Sequence, residues 1–176
     1  MRLFSEESRA GTLEGLLTAP VKTWHVVLSK YFASYVTYLI LWIPAFFHFK
    51  LFTIITDVPP PFSSGELVGV FSILALMGAL FIAFGCLASC LTSSQIIAGV
   101  VCVGILFVHF LLGLITFFYG DQIDAAPFFS FISSREHLAT FSRGLIDTRP
   151  IVYYLTATSF TLFITHHLLD YRRWKP

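Results

Sequence analysis

Residues 67–91 read LVGVFSILALMGALFIAFGCLASCL, and residues 96–118 read IIAGVVCVGILFVHFLLGLITFF. Neither run contains a charged side chain, and each exceeds the roughly 20 residues that cross a hydrocarbon core. In lipid, every backbone N–H and C=O must be paired within its own segment, so such runs form helices. The polar linker between them, Thr92-Ser93-Ser94-Gln95, is so short that the two helices must form a tight antiparallel hairpin. Ala75, Ala79 and Ala83 recur at a spacing of four, a face of small residues that lets a neighbouring helix approach closely. These two runs set the fold class, an all-α polytopic integral membrane protein.

Composition agrees. Of 176 residues, 56% are hydrophobic and only 12% are charged, against roughly 25% charged in soluble domains. Mean hydropathy is +0.80. The 20 phenylalanines suit lipid-facing and helix-packing surfaces and carry no catalytic message. A net charge of +1 offers no nucleic-acid surface. Cys86, Cys90 and Cys102 all fall inside apolar segments. Their odd number and lack of CxxC spacing argue against a disulfide framework or a zinc site, and they read as small packing residues.

Upstream, a first span covers about Trp24–Phe49, with Thr23 as a candidate N-cap. Lys30 near its entrance can snorkel to the headgroups. Pro44 removes a backbone donor and should kink the helix. Lys50 marks the far end, residues 51–56 prolong the helix or lie in the interface, and Pro59-Pro60-Pro61 forms a stiff break. Downstream, Ser133 and Glu136 form an S-x-x-E capping box. Phe131, Leu138, Phe141 and Leu145 then share a face, while Glu136, His137, Thr140 and Arg143 lie elsewhere. Gly144 is a natural C-cap. This segment is expected to be a short interfacial helix on the membrane surface. Pro150 introduces a fourth span over about Ile151–Leu168.

About four spans (24–49, 67–91, 96–118 and 151–168) in a single membrane domain over 1–176 put both termini on one side. Arg2, Arg9, Lys22, Lys30, Arg172, Arg173 and Lys175 flank the termini, against Lys50, Arg135, Arg143 and Arg149 opposite. The positive-inside rule then places the termini in the cytoplasm and the interfacial helix outside. The first residues, with Glu6, Glu7, Arg9 and Glu14, hold no apolar signal-peptide core, so the first span is expected to act as its own insertion signal.

Catalytic motifs are missing from the sequence. It has no G-x-x-x-x-G-K-[ST], HExxH or G-x-S-x-G pattern, and no cofactor is implied. His109 reads as a neutral, hydrogen-bonded packing residue. His166, His167 and Asp170 read as an interfacial polar cluster rather than a metal site. Ser89 and His109 lie on adjacent spans and could meet, but no third group accompanies them. Spans two and three carry no carboxylate, which argues against proton-coupled transport.

The strongest local signal precedes the first span. Leu13, Leu16 and Leu17 fall at i, i+3, i+4, one apolar stripe on a helix. Thr12 is a candidate N-cap, Glu14 suits the first turn, and Pro20 ends the helix. By itself this is a short amphipathic helix near the membrane surface.

The segment Glu6-Glu7 … Gly11-Thr12-Leu13-Glu14 … Leu16-Leu17 … Pro20-Val21, followed by Lys30, resembles the signature of type-2 ABC exporter permeases, the family that includes the gliding-motility-associated permeases. Leu91-Thr92-Ser93-Ser94-Gln95 with Ala98, His137–Gly144 with Ile146-Asp147, and Arg172-Arg173-Trp174 extend the resemblance along most of the chain. It implies the permease subunit of an ABC exporter in the bacterial inner membrane. It also implies an ABC ATPase subunit on the cytoplasmic side, a second permease copy or homologous permease, and the lipid bilayer as partners. Glu6, Glu7, Gly11, Thr12, Leu13, Glu14, Leu16, Leu17 and Pro20 would form the cytoplasmic element that couples to the ATPase. The family has six spans, so the resemblance implies that these are its last four. The alternative reading is a non-transport membrane assembly or scaffold protein. The apolar spans do not select a substrate class.

Overall fold

The computed structural model describes residues 2–12, 22–57, 62–119 and 126–174. Among them the structure is helical throughout, with no strand: α1 (Arg2–Arg9), α2 (Thr23–Leu41), α3 (Ile43–Thr56), α4 (Ser64–Leu91), α5 (Gln95–Tyr119), α6 (Ala126–Ile132), α7 (Ser134–Phe141) and α8 (Thr148–Trp174). Among the described residues three stretches are long and apolar enough to cross a membrane: Thr23–Thr56, which joins α2 and α3, then Ser64–Leu91 and Gln95–Phe118. The protein is an all-α polytopic membrane protein. α8 has the length, with 27 residues, but its threonines and paired histidines make it less apolar.

Pro44 acts as expected. The helix breaks at Trp42, and Pro44 lies in the first turn of α3, where a backbone N–H has no partner within its own helix to lose. Residues 51–56 prolong the helix, which ends at Asp57 in the left-handed region (φ 51°). Thr23 differs from expectation. Lys22 is the N-cap and makes no side-chain cap bond, while the Thr23 hydroxyl donates to Asp170 Oδ1 at 3.0 Å. Thr23 is thus the first helical residue, and its hydroxyl links α2 to α8 by a hydrogen bond to a carboxylate. α4 opens with a capping box in which Ser63 Oγ accepts from Glu66 N (3.3 Å) and Ser63 N donates to Glu66 Oε2 (2.9 Å).

α4 is the central helix, and α1, α2, α5, α7 and α8 all pack against it. Its small-residue face is filled by tyrosines of α2. Tyr31, Tyr35 and Tyr38 donate their hydroxyls to the carbonyls of Ala79, Ala75 and Leu74 at 3.3, 3.3 and 2.9 Å. The three rings form a stacked ladder, and a Cβ at Gly78 would run into the Tyr38 ring. Lipid tails are as apolar as Leu, so burial alone does not hold helices together. Close packing and interhelical bonds, each about 0.6 kcal/mol, do so.

α8 lies alongside α4 over most of its length. Tyr154 packs with Ile73 and Leu80, and Leu162 and Leu169 pack with Ala83, Cys86 and Cys90. The linker Thr92–Ser94 makes α4 and α5 the expected hairpin, with Ser94 N donating to Thr92 Oγ1 at 3.1 Å. The Thr23–Asp170 bond, α1 and this linker define one end of the bundle, here the proximal end. α6 and α7 close the other, distal end.

The distal helices depart from the expected single amphipathic helix. Ser133 caps α7 through Glu136 N (3.4 Å), and Gly144 (φ +75°) turns the chain after it, donating its N–H to the Phe141 carbonyl. Phe141 is fully buried and Leu138 packs beside it. Phe131 and Leu145, assigned to the same face, are exposed, and His137, set apart from that face, is only 6% exposed. The reason is that Ser133 splits the segment into two helices. Phe131 therefore sits on α6, outside the helical register of α7, and Leu145 lies beyond the Gly144 turn.

Candidate functional site

The proximal end holds the residues that the sequence motif singles out. α1 is pinned by one hydroxyl: Ser89 Oγ on α4 accepts from the backbone N–H groups of Phe4 and Ser5, each at 3.0 Å. First-turn N–H groups have no partner inside their own helix, so Ser89 satisfies two of them at a buried site. Phe4, 1% exposed, packs into the cluster of Val27, Tyr31, Cys86 and Cys90. Glu7 forms an ion pair with Lys30 of α2, whose ammonium also lies over the Phe4 ring at 4.9 Å. A half-shielded pair of this kind contributes at most about 1 kcal/mol, and its value is in fixing direction.

Glu6 is exposed on α1. Gly11 adopts φ +71°, a left-handed turn that ends the helix, and the Thr12 hydroxyl donates to the Glu7 carbonyl at 3.4 Å. Leu13, Glu14, Leu16, Leu17 and Pro20 lie outside the described residues. The structure thus brings Glu6, Glu7, Gly11 and Thr12 together on one docked element. The burial of Phe4 and the anchor at Ser89 were not read from the sequence. The available signal was an isolated Leu3-Phe4 pair ahead of the acids.

Beside this element, Trp24 stacks on His166 (4.7 Å between centroids, 3° between planes), and with Asp170 accepting from Thr23 this ties α8 to the start of α2; His167 packs on Phe163 within α8 itself. Among the described residues no group of three or more His, Cys, Asp or Glu could hold a metal.

The distal end holds a polar chain that sequence reasoning missed. His109 Nε2 lies 2.9 Å from Ser134 Oγ, Tyr154 donates to Ser134 Oγ at 3.1 Å, and His137 Nδ1 lies 3.3 Å from the Tyr154 oxygen. Tyr153 stacks on His109 (6.3 Å, 8°) and its hydroxyl lies 3.5 Å from Nδ1. Ser133 Oγ donates to the Gly113 carbonyl at 3.0 Å. The chain links α5, α7 and α8, so His109 is hydrogen-bonded as expected, yet it belongs to a network. Burial pushes the His137 imidazole down to about 4, with Asp147 opposing the shift and His109 adding to it, so His137 is neutral at pH 7. Ser89 and His109 do not meet, because each is committed to partners at opposite ends of the bundle. The histidines are 28 residues apart in sequence, on elements whose packing no periodicity reveals.

The profile of a family described as ABC-2 family transporter protein matches residues 1–142 of this chain. No curated protein and no solved structure matches it.

Proposed function

The chain belongs to the ABC-2 transporter family, a membrane permease component of an ABC transporter, and from that premise we propose that it couples ATP hydrolysis by a separate ATPase subunit to export. The permease is a transport component and not itself a catalyst. On this reading the proximal end is cytoplasmic and α8 is a fourth span of the inner membrane. A second permease copy, or a homologous one, completes the path. Glu6, Glu7, Gly11, Thr12, Leu13, Glu14, Leu16, Leu17 and Pro20 form the surface that meets the ATPase.

The observation that carries this reading is the docking of α1. A push on the Glu6–Thr12 element passes through Ser89 to α4 and through the Glu7–Lys30 pair to α2, the two helices joined by the tyrosine ladder. α4 in turn contacts α5 and α8. One small element therefore addresses the whole bundle. For α8, the support is its course beside α4 from Tyr154 to Leu169, which carries it through the same layer.

The test is Leu16→Asp in the full protein co-expressed with its ATPase. The substitution places a charge in an apolar contact, a loss of several kcal/mol if the partner cannot pair it. Membrane insertion should persist while stimulation of the ATPase is lost. Normal stimulation by a well-inserted variant would rule out the docking role.

A further inference from the structure

Between α6, α7 and the start of α8 lies a cleft of ≈ 200 Å³ whose polar lining is Ser130, Glu136, His137, Thr140, Asp147 and Arg149. The hydrogen-bonding capacity of that lining is one-sided. Ser130 Oγ gives its proton to the Pro127 carbonyl (3.1 Å) and Thr140 Oγ1 gives its own to the Glu136 carbonyl (2.9 Å), so both hydroxyls present only lone pairs. The two carboxylates are acceptors. Among the lining residues only Arg149 offers side-chain donors to the cleft, and it is exposed at the rim.

His137 decides the character of the base. With the Tyr154 hydroxyl proton on Ser134 Oγ, the Tyr154 oxygen accepts from His137 Nδ1; this direction of the chain assigns the imidazole proton to Nδ1 and leaves Nε2 bare, whereas the reversed direction would place it on Nε2. Ser134 then donates its own proton to His109 Nε2, and every member of the chain is satisfied in one direction. His137 is 94% buried by its 6% exposure, and its Nε2 has no protein partner among the described residues, although the residue lines the cleft. Burial keeps the ring neutral at pH 7, so the lone pair is available.

We propose that this cleft is a binding site for a primary ammonium group, whose N–H donors reach His137 Nε2 and the carboxylates of Glu136 and Asp147. The Tyr154–Ser134–His109 chain is its positioning apparatus, since it fixes the imidazole tautomer. The remaining charged groups nearby do not compete: Arg135 lies over the Phe117 ring at 3.9 Å, and Arg149 stays at the rim, where it can meet an anionic part of the same ligand. A soluble amine and an aminolipid headgroup share this chemistry. The site is at the opposite end of the bundle from the coupling element, so its failure would leave the permease reading standing.

The test uses the full protein, labelled with 15N-histidine, in nanodiscs of phosphatidylcholine, whose quaternary nitrogen has no N–H. Ethylammonium should move the Nε2 resonance of His137 saturably, and tetramethylammonium should not. His137→Phe identifies the resonance. Asp147→Asn should weaken binding about tenfold, the scale of one charge-assisted hydrogen bond. Tyr154→Phe leaves every cleft side chain in place, releases the tautomer, and should weaken binding as well. Nanodiscs of phosphatidylethanolamine separate the sources: a resonance already shifted without added amine identifies the lipid headgroup, and an unshifted one identifies a soluble amine. No response to ethylammonium, an equal response to tetramethylammonium, or unchanged affinity in both Asp147→Asn and Tyr154→Phe overturns the proposal.

Discussion

At the proximal end, α1 hands two backbone N–H groups to Ser89 and buries one phenylalanine. At the distal end, α7 is held by Phe141 and by a chain of side-chain hydrogen bonds through two histidines. Both are short helices closing the ends of one bundle. The buried part of the proximal contact is a serine hydroxyl, two backbone N–H groups and a phenylalanine, none of which carries a charge. The distal contact includes the buried imidazole of His137. The buried anchor of the proximal helix therefore has no proton to gain or lose, while the hold on the distal helices includes a ring that can be protonated. The difference teaches that an element can be held by backbone donors or by side-chain networks, and that only the second makes its hold adjustable.

The largest expected effect breaks the distal end alone. A Cβ at Gly69 of α4 would overlap the Phe141 carbonyl, and the backbone of α7 would have to shift. Gly69→Ala should lower stability by about 3 kcal/mol and expose residues 126–147 to protease, leaving residues 2–9 as protected as before. Gly85, on the same helix, has open space within 4 Å of where a Cβ would stand, and Gly85→Ala should instead stabilise by about 0.5–1 kcal/mol. Thermal unfolding in micelles with limited proteolysis measures both, and equal effects of the two substitutions would contradict the packing described.

Next comes pH. The folded pKa of His137 lies below its ordinary value of 6.5, at about 4. The unfolded chain therefore binds the proton more readily, and the stability contributed by neutral His137 is fully present above pH 6.5 and falls as pH drops toward 4. At pH 5 the loss is about 2 kcal/mol. Hydrogen exchange should show α7 opening over this window while α1 keeps its protection. His137→Gln should flatten the profile, and an unchanged slope in that variant would locate the titration elsewhere.

Ser89→Ala is the proximal counterpart. It leaves the N–H groups of Phe4 and Ser5 buried and unpaired, a loss of about 1–2 kcal/mol. Exchange of residues 2–9 should accelerate with no change at α7. Equal protection in the variant would mean that Phe4 alone holds the helix.

The sequence discloses these two ends unequally, for physical reasons. Charge-free runs longer than a bilayer leave little choice of structure, so α4, α5 and their hairpin were legible almost to the residue, as were the break at Pro44 and the turn at Gly144. Glu6, Glu7 and Gly11 stand close together in the sequence, and they lie on α1 and the left-handed turn that follows it. Ser63-Ser64-Gly65-Glu66 also carries a readable capping box that the apolar run beside it obscured. His137 was set apart from the apolar face because it is polar, although it stands four residues before Phe141 in the same helix and so shares its buried face. The His109–Ser134–Tyr154–His137 chain joins three elements distant in sequence, so no local spacing could announce it.

The smallest effect tests the body of the bundle between the two ends. Along α8, Thr156, Thr161 and Thr165 return their hydroxyls to the carbonyls of Val152, Ala157 and Thr161 at 2.8, 2.8 and 2.9 Å. Thr158 is 8% exposed, yet its Oγ1 is buried and finds no partner among the described residues. A buried hydroxyl left unpaired is destabilising, and Val has the same shape without it. Thr158→Val should therefore raise stability by about 1 kcal/mol, whereas Thr165→Val, which gives up a formed bond at a fully buried site, should not. Because Thr158 belongs to neither end, protection of α1 and α7 should stay in the same proportion. If Thr158→Val proves as costly as Thr165→Val, the Thr158 hydroxyl is paired inside the bundle, and the body between the two ends is held by hydrogen bonds as the distal end is.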